Sequence, residues 1–527
     1  MVIVVAEWSY ARTASGPRTA VRRRRGGDEM HLVEDGTETG IARVFEDRIA
    51  GGVAPGSYVA VFDRDRIRFS HGFGESTRGG DVPDEDTLFR IASCTKSFTA
   101  AVLLILRDTG RLDLDTPVDE FVPEFAPATP GGTAVRPTVR MLLTMSGGLG
   151  TDDPWADRQE SITPAEFRRL LVRGVRCVTV PGTAFAYSNL GYALLGQVIE
   201  RVTGGRFVDA VTSLLLEPLG LGAVFERPDR EHPEDGGAVT AIGHRVRRDR
   251  AVDADDRFVE VPFSGPGVFS AIGGLFASAT TLIGWVRWLD AAWTGDETGP
   301  LSSASRREMQ QLHRLAPPRP SLDGLPPRLA LGYGFGLFVE EDATLGPLVS
   351  HSGGYPGYSA HMRWHPASGF GVVAFENAGY AAVAKPAEQV LRLAIAEAQA
   401  SDELAEPAIR PWPETLVASM TATGLLSHWD DRVAASLFAE NVALDVPLDE
   451  RRTAAEAAVA AVGGIAEVAS GRATPVCNSP DHLVWFVEGE QGRLRLEVRM
   501  TPVVPLRVQT FTVTVDHEGP ETTDADD

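Results

Sequence analysis

Residues 93–110 read SCTKSFTAAVLLILRDTG. From Phe98 to Leu106 the run is apolar on nearly every helical face, the mark of a helix buried all round. Gly110 supplies the left-handed residue that ends such a helix. Ser93 and Lys96 stand at its start, three residues apart, so both side chains leave one face within mutual reach. The free N–H groups and positive field of a helix N-terminus surround them. Burial lowers a lysine pKa, and a neutral amine can accept the proton of a serine hydroxyl. Such tetrapeptides arise by chance in long chains, so the context has to narrow the reading. Of 50 lysines and arginines, only Lys96 and Lys385 are lysines. Arginine serves wherever charge suffices but cannot deprotonate, so a retained lysine points to a need for an amine. Lys385, beside Pro386 at an ordinary helix start, tempers that argument.

Two further clusters carry chemistry. Tyr187-Ser188-Asn189 lies in PGTAFAYSNLGYALLG (181–196), at a loop-to-helix junction that presents a phenol and a carboxamide. A tyrosine beside a protonated lysine is expected to have a depressed pKa and to shuttle protons between nucleophile and leaving group. Taken alone, the segment reads as a capping Asn and a packed Tyr. His351-Ser352-Gly353-Gly354 is read on a strand continuing as YPGYSAHMRW, where glycines let a substrate lie along the strand. The Gly354 N–H and the Ser93 N–H could together form an oxyanion hole. Alone, His351 reads as a strand-end histidine.

Serine-x-x-lysine, then Tyr-x-Asn about 90 residues later, then His-x-Gly on a late strand, resembles the penicillin-recognising serine hydrolases. These are the class C β-lactamases, D-alanyl-D-alanine carboxypeptidases, D-aminopeptidases and β-lactamase-like esterases. TVRMLLTMSGGL (138–149) and LGYGFGL (331–337) fit the same pattern, and the resemblance spans roughly residues 40–400. Three motifs in order are far more specific than one. The resemblance implies an α/β (α+β) chain of β-lactamase/transpeptidase-like fold, with an antiparallel sheet flanked by helices and a helical lobe. It implies Ser93 as nucleophile, Lys96 as activator, Tyr187 as general base or acid, Asn189 as a contact to the substrate amide, and Gly353 and Gly354 at the substrate and oxyanion. His351 takes the place of the lysine that binds the carboxylate of β-lactams, which weakens the fixed charge and fits the esterase and D-aminopeptidase branches better. Met145-Ser146-Gly147-Gly148 stands where relatives show His-Thr-Ser-Gly, so altered packing is expected there.

Other chemistries find little support. There is no G-x-S-x-G elbow and no H-E-x-x-H; His361 and His365 are four apart on a predicted strand. Gly332-Tyr333-Gly334-Phe335-Gly336 lacks the helix that a dinucleotide loop needs. No metal or other cofactor is called for. The net charge of −22 repels phosphate backbones, which excludes a general nucleic-acid role. Arg22 to Arg25 reads as a solvated tail. Three scattered cysteines, with no C-x-x-C pair, fit a reducing compartment. No apolar run reaches membrane-spanning length, and MVIVVAEW is too short for a signal core, so the expected location is cytoplasmic with no membrane partner.

Residues 57–75 alternate and turn at Asp63-Arg64-Asp65, which reads as a β-hairpin, and strand patterns return at GYGFGLFVE (332–340), PLVSHSGGYPGYSAHMRWHP (347–366) and FGVVAFENAG (370–379). Strands at both ends thus flank a helical middle, which suggests one sheet completed late by C-terminal strands. Residues 1–29 are expected to be disordered, 30–400 to form the hydrolase domain, and 401–414 to be a linker. Residues 415–516 are expected to form a small α+β domain, followed by an acidic disordered tail over 517–527. The small domain resembles the ketosteroid-isomerase-like (SnoaL-like) cone, with helices first and then a curved sheet; a lipocalin-like barrel is the rival. It is expected to support a homodimer or to cover the cleft. The function expected is hydrolysis of a small ester or peptide amide through an acyl-enzyme. An acyltransferase or peptide cyclase using the same site, and a non-catalytic scaffold, are the alternatives.

Overall fold

The computed structural model describes residues 37–227, 239–247, 257–317, 328–401, 409–465 and 476–516. The expected disordered stretch 1–29, the tail 517–527, residues 30–36 of the hydrolase domain and residues 402–408 of the linker lie outside the described residues. The chain divides into two compact units, Met1–Leu404 and Ala405–Asp527.

The first unit is built on helix α1 (Thr37–Ala50), strands β1 (Gly56–Phe62) and β2 (Ile67–Gly74), and helices α2 (Thr95–Asp108) and α3 (Asn189–Thr203). Late in the chain come β3 (Arg314–Leu315), β4 (Arg328–Tyr333), β5 (Phe338–Asp342), β6 (Gly346–Tyr355), β7 (Tyr358–His365), β8 (Phe370–Glu376) and helix α4 (Ala384–Ala400). The sheet runs β2-β1-β8-β7-β6-β5-β4-β3, so the N-terminal hairpin is completed by C-terminal strands. All of these pairings are antiparallel.

Alternation along β1 explains the layers. Val59 and Val61 point to the face where Ile41, Phe45, Val390 and Leu391 of α1 and α4 pack. Tyr58, Ala60 and Phe62 point to the opposite face, into the main core with Phe98, Leu103 and Leu195 of α2 and α3. Every residue of α2 from Thr95 to Leu106 is buried, as its all-round apolarity requires. The β1–β2 hairpin turns where expected, because Asp63 Oδ1 accepts the N–H groups of Asp65 and Arg66, both at 2.8 Å.

Two strand readings need correction. GYGFGLFVE is not one strand: β4 ends at Tyr333, Gly336 takes φ +73°, and β5 starts at Phe338. A Cβ at Gly336 would lie 2.5 Å from the Lys96 carbonyl oxygen, so the turn needs glycine to approach α2. Nor does the strand of His351 run on through YPGYSAHMRW; it turns at Pro356-Gly357, with Gly357 at φ +89°, and returns as β7.

The second unit has helices α5 (Pro413–Ser427), α6 (Asp431–Leu437), α7 (Glu440–Asp445) and α8 (Leu448–Ala461). Strands β9 (Val476–Ser479), β10 (His482–Gly489), β11 (Gly492–Met500) and β12 (Val508–Asp516) follow, forming a sheet in that spatial order. Ala422, Leu426, Phe438, Leu494, Leu496 and Phe511 belong to its core. Helices precede the sheet as expected. Helix α5 begins two residues inside the expected linker, since Pro413 fits the first helical turn, where a missing N–H costs little.

Candidate active site

Ser93 sits in a single 3-10 turn, Ala92–Cys94, that feeds into α2. The turn is strained at its entry: Ala92 holds φ +47°, a left-handed value that a residue with a Cβ seldom adopts. Strand β6 lies directly against this turn. A Cβ on Gly353 would come 2.3 Å from the Ile91 carbonyl oxygen and 3.0 Å from the Ala92 Cβ. The Cys94 thiol donates to the His351 carbonyl at 3.3 Å, a second tie between turn and strand.

Lys96 Nζ donates to Ser93 Oγ at 2.9 Å and to the Ile272 carbonyl at 3.0 Å. It lies 5.0 Å from the centroid of the Tyr187 ring and 5.7 Å from that of Tyr192. The side chain is fully buried. Desolvation pushes its pKa down to about 8, against the pull of Asp153, Asp157 and Asp152 towards the charged form.

Tyr187 reaches the same point from the loop before α3, with Ser93 as the hydroxyl it interacts with. Its ring stacks on Phe338, 6.1 Å between centroids and 7° between planes. Met145, the departure from the relatives' His-Thr-Ser-Gly, props this loop. At φ +55° its carbonyl accepts the Ala186 N–H at 2.8 Å, and its sulfur accepts the Ser188 N–H at 3.3 Å. The expected depression of the Tyr187 pKa is not found. Desolvation, with the nearby Asp153 carboxylate adding to it, raises the pKa well above the ordinary value, so the resting group is a neutral phenol.

His351 borders the same cavity, but as an uncharged ring. Nδ1–H donates to the Ser352 carbonyl at 2.8 Å and Nε2 accepts from the Tyr333 hydroxyl at 3.0 Å, an assignment that uses both nitrogens. Burial and the Lys96 charge push its pKa down to about 3. Gly354 lines the cavity beside Ser93 and pairs with Ser359 across β6–β7.

Asn189 is the first residue of α3. It is fully buried, is not among the residues lining the cavity, and its Nδ2 donates to Asp153 Oδ1 at 2.6 Å. Asp152 accepts the backbone N–H groups of Asn189 and Leu190, at 2.7 and 2.8 Å, and so caps α3.

The cavity of about 700 Å³ brings Ser93, Tyr187, His351 and Gly354 together with groups the sequence reading did not single out. Asp153 and Asp157 form one wall; Asp157 accepts from the Tyr380 hydroxyl at 2.8 Å, and desolvation pushes its pKa up to about 6. The opposite end carries Arg328, Arg363, Glu340 and Glu388, which pair among themselves: Arg363 meets Glu340 at 3.0 Å and Glu388 at 3.3 Å, and Arg328 bridges the same two carboxylates. The run TDDPWAD (151–157) was the available signal: three aspartates in seven residues, shortly after the SGG turn. No group of metal-ligating side chains occurs among the described residues, and no described helix is long and apolar enough to cross a membrane.

The family described as Beta-lactamase matches residues 41–397. Esterase EstB of Burkholderia gladioli is 29% identical over 385 residues, covering 66% of this chain and 91% of that protein. Protein flp of Staphylococcus aureus (strain N315) is 25% identical over 346 residues, 64% of this chain, and the match spans 62% of that protein's length. Among solved structures, the octameric penicillin-binding protein homologue from Pyrococcus abyssi superposes with a TM-score of 0.56 at 21% identity, covering 91% of this chain and 99% of that one. D-amino acid amidase from Ochrobactrum anthropi SV3, complexed with D-phenylalanine, gives 0.54 at 25% identity, covering 68% and 99%.

Proposed function

The chain belongs to the Beta-lactamase family and is a serine hydrolase of that family; on that premise we propose that Ser93, Lys96 and Tyr187 hydrolyse a small ester or amide through an acyl-enzyme. The observation that carries the reading is the 2.9 Å contact between Lys96 Nζ and Ser93 Oγ inside a buried pocket.

In the first step Lys96, as the free amine, takes the Ser93 proton while Oγ attacks the substrate carbonyl carbon. The Ser93 and Gly354 N–H groups hold the oxyanion. Collapse breaks the bond to the leaving group, which receives the Tyr187 phenolic proton. The site now holds an acyl-serine, an ammonium and a phenolate, each charge offsetting the other. Water attacks next and gives its proton to the Tyr187 phenolate. The second collapse returns the Lys96 proton to Ser93 and frees the acid. Every group regains its starting state, and Tyr187 need be a phenolate only while Lys96 is charged beside it.

His351 contributes no charge to this scheme. Its ring and the Tyr333 hydroxyl form a neutral wall behind Ser93. The reading therefore favours esters and amides without the carboxylate that β-lactams carry.

The test is a product balance on alkyl and aryl esters, with and without an added alcohol acceptor. Free acid as the main product in both conditions, lost in Ser93→Ala, is expected. Near-complete transfer to the acceptor would overturn hydrolysis, and full turnover by Ser93→Ala would overturn the nucleophile.

A further inference from the structure

We propose that Glu160 is the positioning residue of the Ser93 site, its one buried carboxylate tying together the turn that presents Ser93, the carbonyl that holds Lys96 and the strand that supplies the oxyanion N–H. This rests on the hydrolase reading above and deepens it, by assigning what keeps that site in register.

The two carboxylate oxygens have separate partners. Glu160 Oε1 accepts the Ser270 hydroxyl at 2.8 Å and faces Arg90 Nη2 at 3.2 Å; Oε2 accepts the Tyr355 hydroxyl at 2.9 Å. All four side chains are buried. Each partner leads within a few residues to an atom of the reaction. Arg90 closes the short strand Phe89–Arg90, which pairs with Phe276 and runs through the strained Ala92 into Ser93. Ser270 opens the helical turn Ser270–Gly273, whose Ile272 carbonyl accepts from Lys96 Nζ at 3.0 Å. Tyr355 ends β6, next to Gly354. Glu160 itself does not line the cavity, so it acts only through these partners.

The three elements also interlock around the carboxylate. Arg90 Nε donates to the Gly273 carbonyl at 3.0 Å, and its guanidinium lies 4.2 Å from the centroid of the Tyr355 ring. A Cβ on Gly274 would come 2.9 Å from Glu160 Oε1, and one on Gly273 would lie 3.4 Å from both the Ala92 Cα and the Tyr355 ring. A buried ion pair is a weak source of net stability, because both charges lose their water. An apolar cluster would hold the same elements together, but without direction. Hydrogen bonds of fixed length and angle give direction, and the reaction depends on it, since a misplacement of about 1 Å can slow a reaction by about 10²-fold.

Glu160→Gln keeps the shape of the side chain and removes its charge. A fluorophosphonate reads the consequence, because Ser93 Oγ attacks phosphorus, fluoride leaves, and no hydrolytic step follows to obscure the rate. The maximal inactivation rate should fall about 10²-fold, with the half-saturating concentration within about threefold of wild type. The kcat/KM for an alkyl ester should fall by a similar factor. A role in folding alone would instead lower the urea midpoint and leave the inactivation rate of the folded enzyme unchanged. Tyr355→Phe keeps the Arg90–Glu160 pair, cuts only the arm to β6, and should lose about tenfold. Combined with Glu160→Gln it should add little, since both losses pass through one carboxylate. Should Glu160→Gln fail to fold, Tyr355→Phe and Ser270→Ala, which leave the ion pair in place, decide the matter, each with an expected loss of about tenfold. An inactivation rate within about twofold of wild type in folded Glu160→Gln, or in both single-arm variants, would overturn the proposal, as would losses that multiply in the double variant. Failure of the hydrolase reading looks different: wild-type protein that shows neither labelling at Ser93 nor Ser93-dependent ester turnover.

Discussion

Lys96 Nζ donates to the Ser93 hydroxyl and the Ile272 carbonyl at once, at 2.9 and 3.0 Å. A lysine so placed is a hydrogen-bond donor at rest and becomes a base only after losing a proton. The burial that keeps water from it also makes that loss accessible, because desolvation outweighs the carboxylates of Asp153, Asp157 and Asp152.

The pH dependence follows directly. The active form is the neutral amine, so kcat/KM for an uncharged ester should climb by about tenfold per pH unit below the Lys96 pKa and level off above it. With that pKa at about 8, the midpoint should fall near there. A rate that declines across this range would show that the protonated amine is the working form.

Replacing Lys96 by Arg keeps a positive charge but removes the ability to deprotonate. The expected loss in kcat is about 10³-fold, within the range for a positioned general base. Circular dichroism on the same sample checks that the loss is chemical, and Lys96→Met provides a smaller replacement.

Tyr187→Phe removes one oxygen and keeps the ring that stacks on Phe338. If the phenol protonates the leaving group, the penalty depends on that group. In kcat/KM, which reports acylation alone, alkyl esters and amides should lose about 10²–10⁴-fold, whereas p-nitrophenyl esters, whose leaving group departs unprotonated, should lose much less; kcat should fall for both, because the water of deacylation also needs Tyr187. Equal losses in kcat/KM for both would assign Tyr187 a different duty.

Gly353→Ala tests the packing of β6 against the serine turn. The new Cβ would lie 2.3 Å from the Ile91 carbonyl oxygen, which is backbone and cannot swing aside. Strand and turn must separate, at a cost of about 1–3 kcal/mol, read as a lower midpoint in urea unfolding. Activity should fall too, since Gly354 moves with the strand.

Much of this architecture was legible because it is written in short-range patterns. The all-round apolar run after Ser93 announced a buried helix, and the Asp63 turn announced the β1–β2 hairpin. The strands after residue 330 were misjoined because Gly336 and Pro356-Gly357 act as turns only against tertiary neighbours, namely the Lys96 backbone and the antiparallel return of β7. Within the site, Ser93, Tyr187, His351 and Gly354 meet in one cavity. Asn189 does not line it, because Asp153 claims its amide nitrogen. Asp153 and Asp157 were not singled out, since nothing local in TDDPWAD records that they line the cavity of Ser93. The neutral state of Tyr187 was likewise unreadable, as desolvation is a property of the folded surroundings.

The central claim is that the Ser93 oxygen becomes covalently acylated during turnover. Intact-protein mass spectrometry, after rapid acid quench of enzyme mixed with a slowly released ester, followed by peptide mapping, tests it most directly. The account predicts an increment equal to the acyl group, carried by the peptide containing Ser93 and absent from Ser93→Ala. Turnover with no acylated species at any quench time, or an acyl group mapped to another residue, would contradict it.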